Sequence, residues 1–209
     1  MKDGGVKVKI CGIRDVEAAV AAARGADFLG FIMNSRFWRY AEPEAVREIC
    51  RRVPRCRKVG VFVDQPLEEV SRLADYCGLD IVQLHGHENE AYAGRLQADG
   101  YSIIKAFRYG EDFSPARANN YPADFILIDS YSKNAEGGNG ISFAWQSAAP
   151  EIKKVTKPYI IAGGIRADNI REAMEIFQPY GVDVSSSLET DRQKDARLIR
   201  EFLQEAGKL

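Results

Sequence analysis

No apolar run in this 209-residue chain approaches the roughly 20 residues that a membrane-spanning helix needs. Nor is charge of one sign in excess. Lys+Arg 29 against Asp+Glu 30 leaves a net charge of -1, so no global field draws the chain to nucleic acid or to an anionic membrane. Histidine is scarce: His85 and His87 find no convincing third ligand, and no metal centre is expected. The four cysteines (Cys11, Cys50, Cys56 and Cys77) form no CxxC pair, which removes the common redox and zinc signatures. The last three lie in or beside apolar helical segments, where a reduced thiol behaves as a small hydrophobe. A reducing cytoplasm fits that usage. Met1-Lys2-Asp3-Gly4-Gly5 leads into a charged strand, so no secretory signal is expected.

What is present is enough apolar residue, 45 %, for one sizeable core. The chain is long for one small domain and short for two, and no linker or low-complexity tract divides it. Residues 1–209 are therefore read as a single α/β domain. Strand-like runs fall at residues 6–11, 28–32, 58–63, 81–84, 102–106, 125–129, 159–162 and 182–185. Near-continuous Ile, Val, Leu and Phe without polar alternation is what strands covered on both faces require. Eight such runs with helical patterns between them match a compact (β/α)8 TIM barrel. Pro43 opens a helix over 44–53, and Pro66 opens another that Gly78 closes. Asp168 and Asp195 are read as the starts of the last two helices, while 113–121 and 143–150 read as weak, short ones.

In such a barrel the reacting groups sit just past the C-terminal ends of the strands. Cys11 ends the first run and Asp129 the sixth. A thiol and a carboxyl group placed there can share one pocket, one taking a proton and the other delivering one. The turns Ala162-Gly163-Gly164 and Val184-Ser185-Ser186-Ser187 follow the seventh and eighth runs, where backbone amides commonly hold a phosphate. An isomerase acting on a sugar phosphate is the reading these positions suggest.

The chain resembles the phosphoribosylanthranilate isomerase family in an ordered set of motifs. These run from Lys9-Ile10-Cys11-Gly12 through Gly30-Phe31, Arg39-Tyr40 and Val82-Gln83-Leu84-His85-Gly86. They continue with Lys105-Ala106-Phe107, Gly137-Gly138-Asn139-Gly140, Ala162-Gly163-Gly164, Gly181-Val182-Asp183-Val184-Ser185-Ser186 and Lys194-Asp195. Each is common alone; their ordered combination is specific. The resemblance implies an Amadori rearrangement of N-(5-phosphoribosyl)anthranilate in tryptophan biosynthesis, with no cofactor. The implied partner is a small phosphosugar substrate, and a monomer is expected rather than a homodimer.

Roles follow from the same resemblance. Cys11 is the expected base and Asp129 the expected acid. The first role gains from anything that favours a thiolate near neutral pH; the second requires a carboxyl group that keeps its proton. Gly138, Asn139, Gly140, Gly163, Gly164, Ser185, Ser186 and Ser187 are the expected phosphate-binding residues. Arg39 corresponds to the arginine that pairs with the anthranilate carboxylate, and Arg36 is the alternative. Gln83, His85 and Asp183 point toward the same pocket, Asp183 near the sugar hydroxyls. Trp38 or Phe37 is a candidate to stack on the aromatic ring.

Three positions depart from the family pattern: Arg14 for a threonine, Asn139 for a threonine or serine, and Ser187 for a glycine. If Ser187 had to take a left-handed conformation it would cost roughly 1–2 kcal/mol, and a raised KM is the expectation. Other readings compete. An indole-glycerol-phosphate synthase-like enzyme needs a strand-end lysine as acid, for which only Lys105 is placed. A ribulose-phosphate epimerase-like enzyme needs separated metal-binding histidines. A non-catalytic phosphate-binding barrel would have no use for Cys11 and Asp129.

Overall fold

Eight short strands pair in chain order, each parallel to the next, and the eighth returns to the first. The computed structural model describes residues 5–129 and 140–209, with residues 140–144 described by their backbone only. The strands are β1 (Lys7–Cys11), β2 (Phe28–Ile32), β3 (Arg57–Phe62), β4 (Ile81–Leu84), β5 (Ser102–Arg108), β6 (Phe125–Asp129), β7 (Tyr159–Ala162) and β8 (Gly181–Val184). Closure runs from Lys7 opposite Gly181 to Ile10 opposite Val184. Outside them lie α1 (Val16–Ala22), α2 (Pro43–Arg52), α3 (Leu67–Cys77), α4 (Glu90–Ala98), α5 (Pro115–Asn120), α6 (Gly140–Ile152), α7 (Ile170–Phe177) and α8 (Ala196–Glu205). The architecture is a (β/α)8 TIM barrel in one domain. Among the described residues no helix is long and apolar enough to cross a membrane.

Local chemistry explains where the helices begin. The side chains of Asp15, Asn89, Ser114 and Asp195 each accept a hydrogen bond from an amide in the first turn of α1, α4, α5 and α8. Such caps satisfy donors that the helix itself leaves unpaired. Pro43 occupies the first turn of α2, and Gly78 closes α3 in the left-handed conformation. Two expectations are corrected. Helix α7 starts at Ile170 and not at Asp168, whose carboxylate pairs with Arg166 instead. Helix α6 has 13 residues and continues through Pro150, longer than its composition indicates. Its Trp145 is buried against Phe177 of α7, with ring centroids 5.9 Å apart, so tertiary packing supplies what local propensity lacks.

Two apolar layers result. Inside the barrel, Phe28, Val59, Ile81, Ile104, Leu127 and Ile160 form a small cluster. A larger one lies between strands and helices, and includes Ile103 and Phe107 of β5. The alternation along β5 therefore turns Lys105 outward, away from the barrel axis. Its ammonium group donates to Glu88 at 2.9 Å and to the Gly86 carbonyl at 2.7 Å. Both side chains are almost wholly buried, at 1 % and 2 % exposure. The Glu88 carboxylate also accepts from the amides of Asp64 and Gly86, tying the loops after β3 and β4 to β5. Lys105 is thus a structural cation and not a strand-end acid. Removing it would leave a carboxylate buried without its counter-ion. Lys105→Met is expected to lower unfolding stability by about 3–5 kcal/mol, read as an earlier midpoint in urea denaturation. The double substitution with Glu88→Gln should recover much of that loss.

Candidate active site

The C-terminal mouth of the barrel holds a cavity of about 530 Å³. Cys11 enters it from β1, Gln83 from β4, Asp129 from β6 and Asp183 from β8, with His85 just past β4. Gly163 and Gly164 line one side of the rim beside Ser185 and Ser186. The sequence places Cys11, His85, Asp129 and the two turns at strand ends, and the family resemblance points Gln83 and Asp183 to the same pocket; closure of the barrel brings them together. Gly163 and Gly164 have φ of 92° and 68°, a conformation that side chains with a Cβ adopt at a cost. Asn169 secures that turn by donating to the Gly164 carbonyl at 2.9 Å and accepting from the Arg166 amide at 2.8 Å. This use of its side chain is why Asn169 offers no cap to α7.

Cys11 is 7 % exposed and Lys9, two residues earlier, is fully buried. Lys9 donates to the Asp183 carboxylate at 2.9 Å inside the barrel. Burial pushes the Cys11 thiol up from its ordinary range, and the Asp183 carboxylate adds to that rise, while Lys9 and Lys194 pull the other way. The surroundings therefore do not depress the thiol overall, contrary to what its expected role would gain from. Burial alone would lower the Lys9 ammonium, but Asp183 and Cys11 outweigh it and hold the group charged.

Half-buried His85 is pulled down to about 4 by lost hydration, reinforced by the cations Lys9, Arg108 and Lys105. It is neutral near pH 7. Gln83 Nε2 lies 2.8 Å from His85 Nδ1. With the amide nitrogen as donor, the imidazole carries its proton on Nε2. Gln83 Oε1 is then a buried acceptor with no partner among the described residues, facing the cavity from β4.

A short hairpin after β8, made of β9 (Glu189–Thr190) and β10 (Gln193–Lys194), stands beside the mouth. Glu189 receives two bonds from Arg39, from Nε at 2.8 Å and from Nη2 at 2.9 Å. Lys194 donates to the same carboxylate at 2.8 Å and to the Ser185 carbonyl at 2.8 Å. Burial would raise the Glu189 carboxyl, but the bonds from Arg39 and Lys194 prevail and hold it below the usual range. Trp38 lies under the Arg39 guanidinium, whose carbon is 4.0 Å from the ring centroid. Lys9, Lys194, Glu189 and Asn169 were not singled out as site residues from sequence. Lys9 and Lys194 do fall inside the motifs, and that was the available signal.

Several expected site residues stand elsewhere. Arg36 lines a separate cleft of about 470 Å³ beside the starts of α2 and α3, because Asn34 Oδ1 accepts from its amide and turns the loop. Arg14 donates to Gln193 at 2.9 Å and to the Arg192 carbonyl, so this departure braces the hairpin and does not enter the cavity. Ser187 has no positive φ; it sits in a 3-10 turn, Ser186–Leu188, and donates to the Ile165 carbonyl at 2.7 Å. The anticipated strain is absent because the loop follows a right-handed path. Gly140 is the first residue of α6, while Gly138 and Asn139 lie outside the described residues. His87 turns outward to Asp64, and among the described residues no three potential metal ligands converge.

Comparison with known proteins bears on this geometry. The sequence profile of the family described as N-(5'phosphoribosyl)anthranilate (PRA) isomerase matches residues 8–205. The N-(5'-phosphoribosyl)anthranilate isomerase of Desulforamulus reducens is 42 % identical over 200 residues, which cover 95 % of this chain and 93 % of the relative. A solved phosphoribosylanthranilate isomerase in complex with reduced 1-(o-carboxyphenylamino)-1-deoxyribulose 5-phosphate superposes with a TM-score of 0.81. It is 32 % identical, over 98 % of this chain and 100 % of that one. A monomeric form of the dimeric enzyme from Thermotoga maritima also has a TM-score of 0.81 and 32 % identity, with the same coverage.

Proposed function

The chain belongs to the phosphoribosylanthranilate isomerase family, and on that premise we propose that Cys11 is the base and Asp129 the acid of its reaction. The reaction converts N-(5'-phosphoribosyl)anthranilate to 1-(o-carboxyphenylamino)-1-deoxyribulose 5-phosphate in tryptophan biosynthesis. A proton from Asp129 passes to the ribose ring oxygen as the C1'–O bond breaks and the nitrogen lone pair forms an iminium. The iminium charge acidifies the C2' hydrogen, which Cys11 removes as a thiolate. The resulting enolamine takes a proton at C1' as its C2' hydroxyl gives one up, and becomes the ketone. The observation that supports these roles is the convergence of a β1 thiol and a β6 carboxyl group on one cavity rimmed by Gly163-Gly164 and Ser185-Ser186.

The substrate carries two anionic groups, and the rim offers a reception for each. The phosphate is assigned to the backbone amides of Gly163, Gly164, Ser185 and Ser186, which approach an anion without a side chain intervening. Ser187 supports this loop through Ile165. The anthranilate carboxylate is assigned to Arg39. Glu189 occupies its Nε and Nη2 edge, which leaves the Nη1 edge for the ligand and fixes the plane of the fork. Gln83 Oε1 is assigned to a hydroxyl or N–H donor of the substrate, and Asp183 to the sugar hydroxyls. One chain supplies every residue assigned here, so the reading needs no second subunit at the site. Free thiols of this kind persist in a reducing cytoplasm, where the reaction is placed.

The test is a steady-state fluorescence assay following consumption of phosphoribosylanthranilate by the purified protein. Absence of turnover would remove the roles given to Cys11 and Asp129. In the same assay Arg39→Ala should raise KM by about 10- to 100-fold, the loss of one charge-assisted contact of roughly 1.5–3 kcal/mol, with kcat changed far less. Arg36→Ala should leave both near wild type. The reverse pattern would move carboxylate binding to Arg36.

A further inference from the structure

We propose that Lys9 is a positioning residue for the proton-abstracting thiol: its ammonium, anchored by Asp183, is the counter-ion on which the Cys11 thiolate forms. Cys11 and Lys9 alternate with Val8 and Ile10 along β1, so both project into the barrel while the apolar pair packs outward. Across from them β2 carries Gly30. A Cβ at that position would lie 2.9 Å from Cys11 Sγ and 3.0 Å from Lys9 Nζ. The two atoms therefore share the space that the missing side chain leaves open, and stand no more than about 6 Å apart. An opposite charge at that range favours the ionised form of its neighbour.

Fold stability gives no reason for a cation in this place. Lys9 is fully buried, and a buried ion pair is commonly replaceable by apolar side chains at little cost to stability. Its neighbours in the inner layer are all apolar or line the cavity. Lys9 itself does not line the cavity, so it acts through Cys11 and not on the ligand. The other charges facing the thiol divide in their effect. Asp183 on β8 opposes ionisation, and Lys194 on β10 favours it from the hairpin side. Asp129 of β6 and the cations Arg39 and Arg108 share the cavity, while His85 is neutral. Lys9 is the largest of the influences that favour the thiolate.

This inference rests on Cys11 being the base, but it can be tested apart from that role. The rate of iodoacetamide alkylation of Cys11 is measured against pH without substrate, and peptide mass spectrometry separates Cys11 from Cys50, Cys56 and Cys77. Lys9→Met should move the alkylation midpoint up by about one pH unit or more. At pH 7 it should lower kcat by about tenfold, a tenfold loss of thiolate, with KM little changed. Lys9→Arg should restore most of the midpoint. Asp183→Asn should move it down, because the Lys9 charge is then unopposed. Should Lys9→Met fail to fold, Lys9→Met/Asp183→Asn removes both charges together and its midpoint should still lie above that of wild type. A midpoint unchanged from wild type in the folded lysine variant, or in the double variant, overturns the proposal. Full activity in Cys11→Ala would instead overturn the assignment of the base and leave the alkylation result standing.

Discussion

Cys11→Ala is expected to lower kcat by about 10²- to 10⁴-fold, the contribution of a positioned general base, while KM stays within a few-fold of wild type. The side chain is small and at the mouth, so its loss costs little packing. The phosphate and carboxylate contacts assigned to the rim are untouched. Cys11→Ser should be nearly as slow, because a hydroxyl group does not ionise where a thiol does. The pH dependence carries a sign that can be checked. Burial and Asp183 hold the Cys11 thiol above its ordinary range, and a protonated thiol cannot take the C2' proton. The rate of wild type should therefore rise with pH through the neutral range and level off only once the thiolate predominates. A rate independent of pH from 6 to 9, together with an active Cys11→Ala variant, would rule out the thiol as base.

Asp129→Asn is expected to be as severe, again about 10²- to 10⁴-fold in kcat, for the opposite reason. An amide cannot pass a proton to the ribose oxygen, so C1'–O cleavage must proceed to an unprotonated leaving oxygen. The two variants should be separable by isotope substitution. With deuterium at C2', loss of the thiol should make proton abstraction slower and more fully rate-limiting. Loss of the carboxyl group should shift the limiting step to ring opening and suppress the isotope effect. Near wild-type rates in Asp129→Asn would transfer the acid role to another group at the mouth, and neutral His85, which lines the same cavity with a proton on Nε2, is the candidate.

The legible and illegible parts of this protein divide along a physical line. Four of the eight strands, at 28–32, 81–84, 125–129 and 159–162, have the bounds that apolar continuity predicts, and the rest differ by a residue or two. That signal is strong because strands covered on both faces carry few polar residues. Helix α6 was harder to see, since its stability comes from Trp145 against Phe177 across a chain separation that no local pattern encodes. Lys105 illustrates a different failure. Its position at a strand is evident, but whether it faces the axis or the helices depends on pairing register, and a shift of one residue reverses the answer. Ser187 read as a source of strain, and its hydroxyl bond to Ile165 belongs to a turn whose path only the assembled β7 and β8 loops define.

Composition, spacing and motif order in the chain by themselves determined the barrel, the strand-end location of Cys11 and Asp129, and the family. All of these are properties that run along one dimension. Partnership across the barrel was decided by closure: Lys9 with Asp183, Arg39 with Glu189, and Arg14 with Gln193 away from the mouth. Lys9 and Asp183 are 174 residues apart, and they meet because β8 returns to pair with β1. The strength and sign of an electrostatic effect depend on distance and burial, and both arise only when the last strand joins the first.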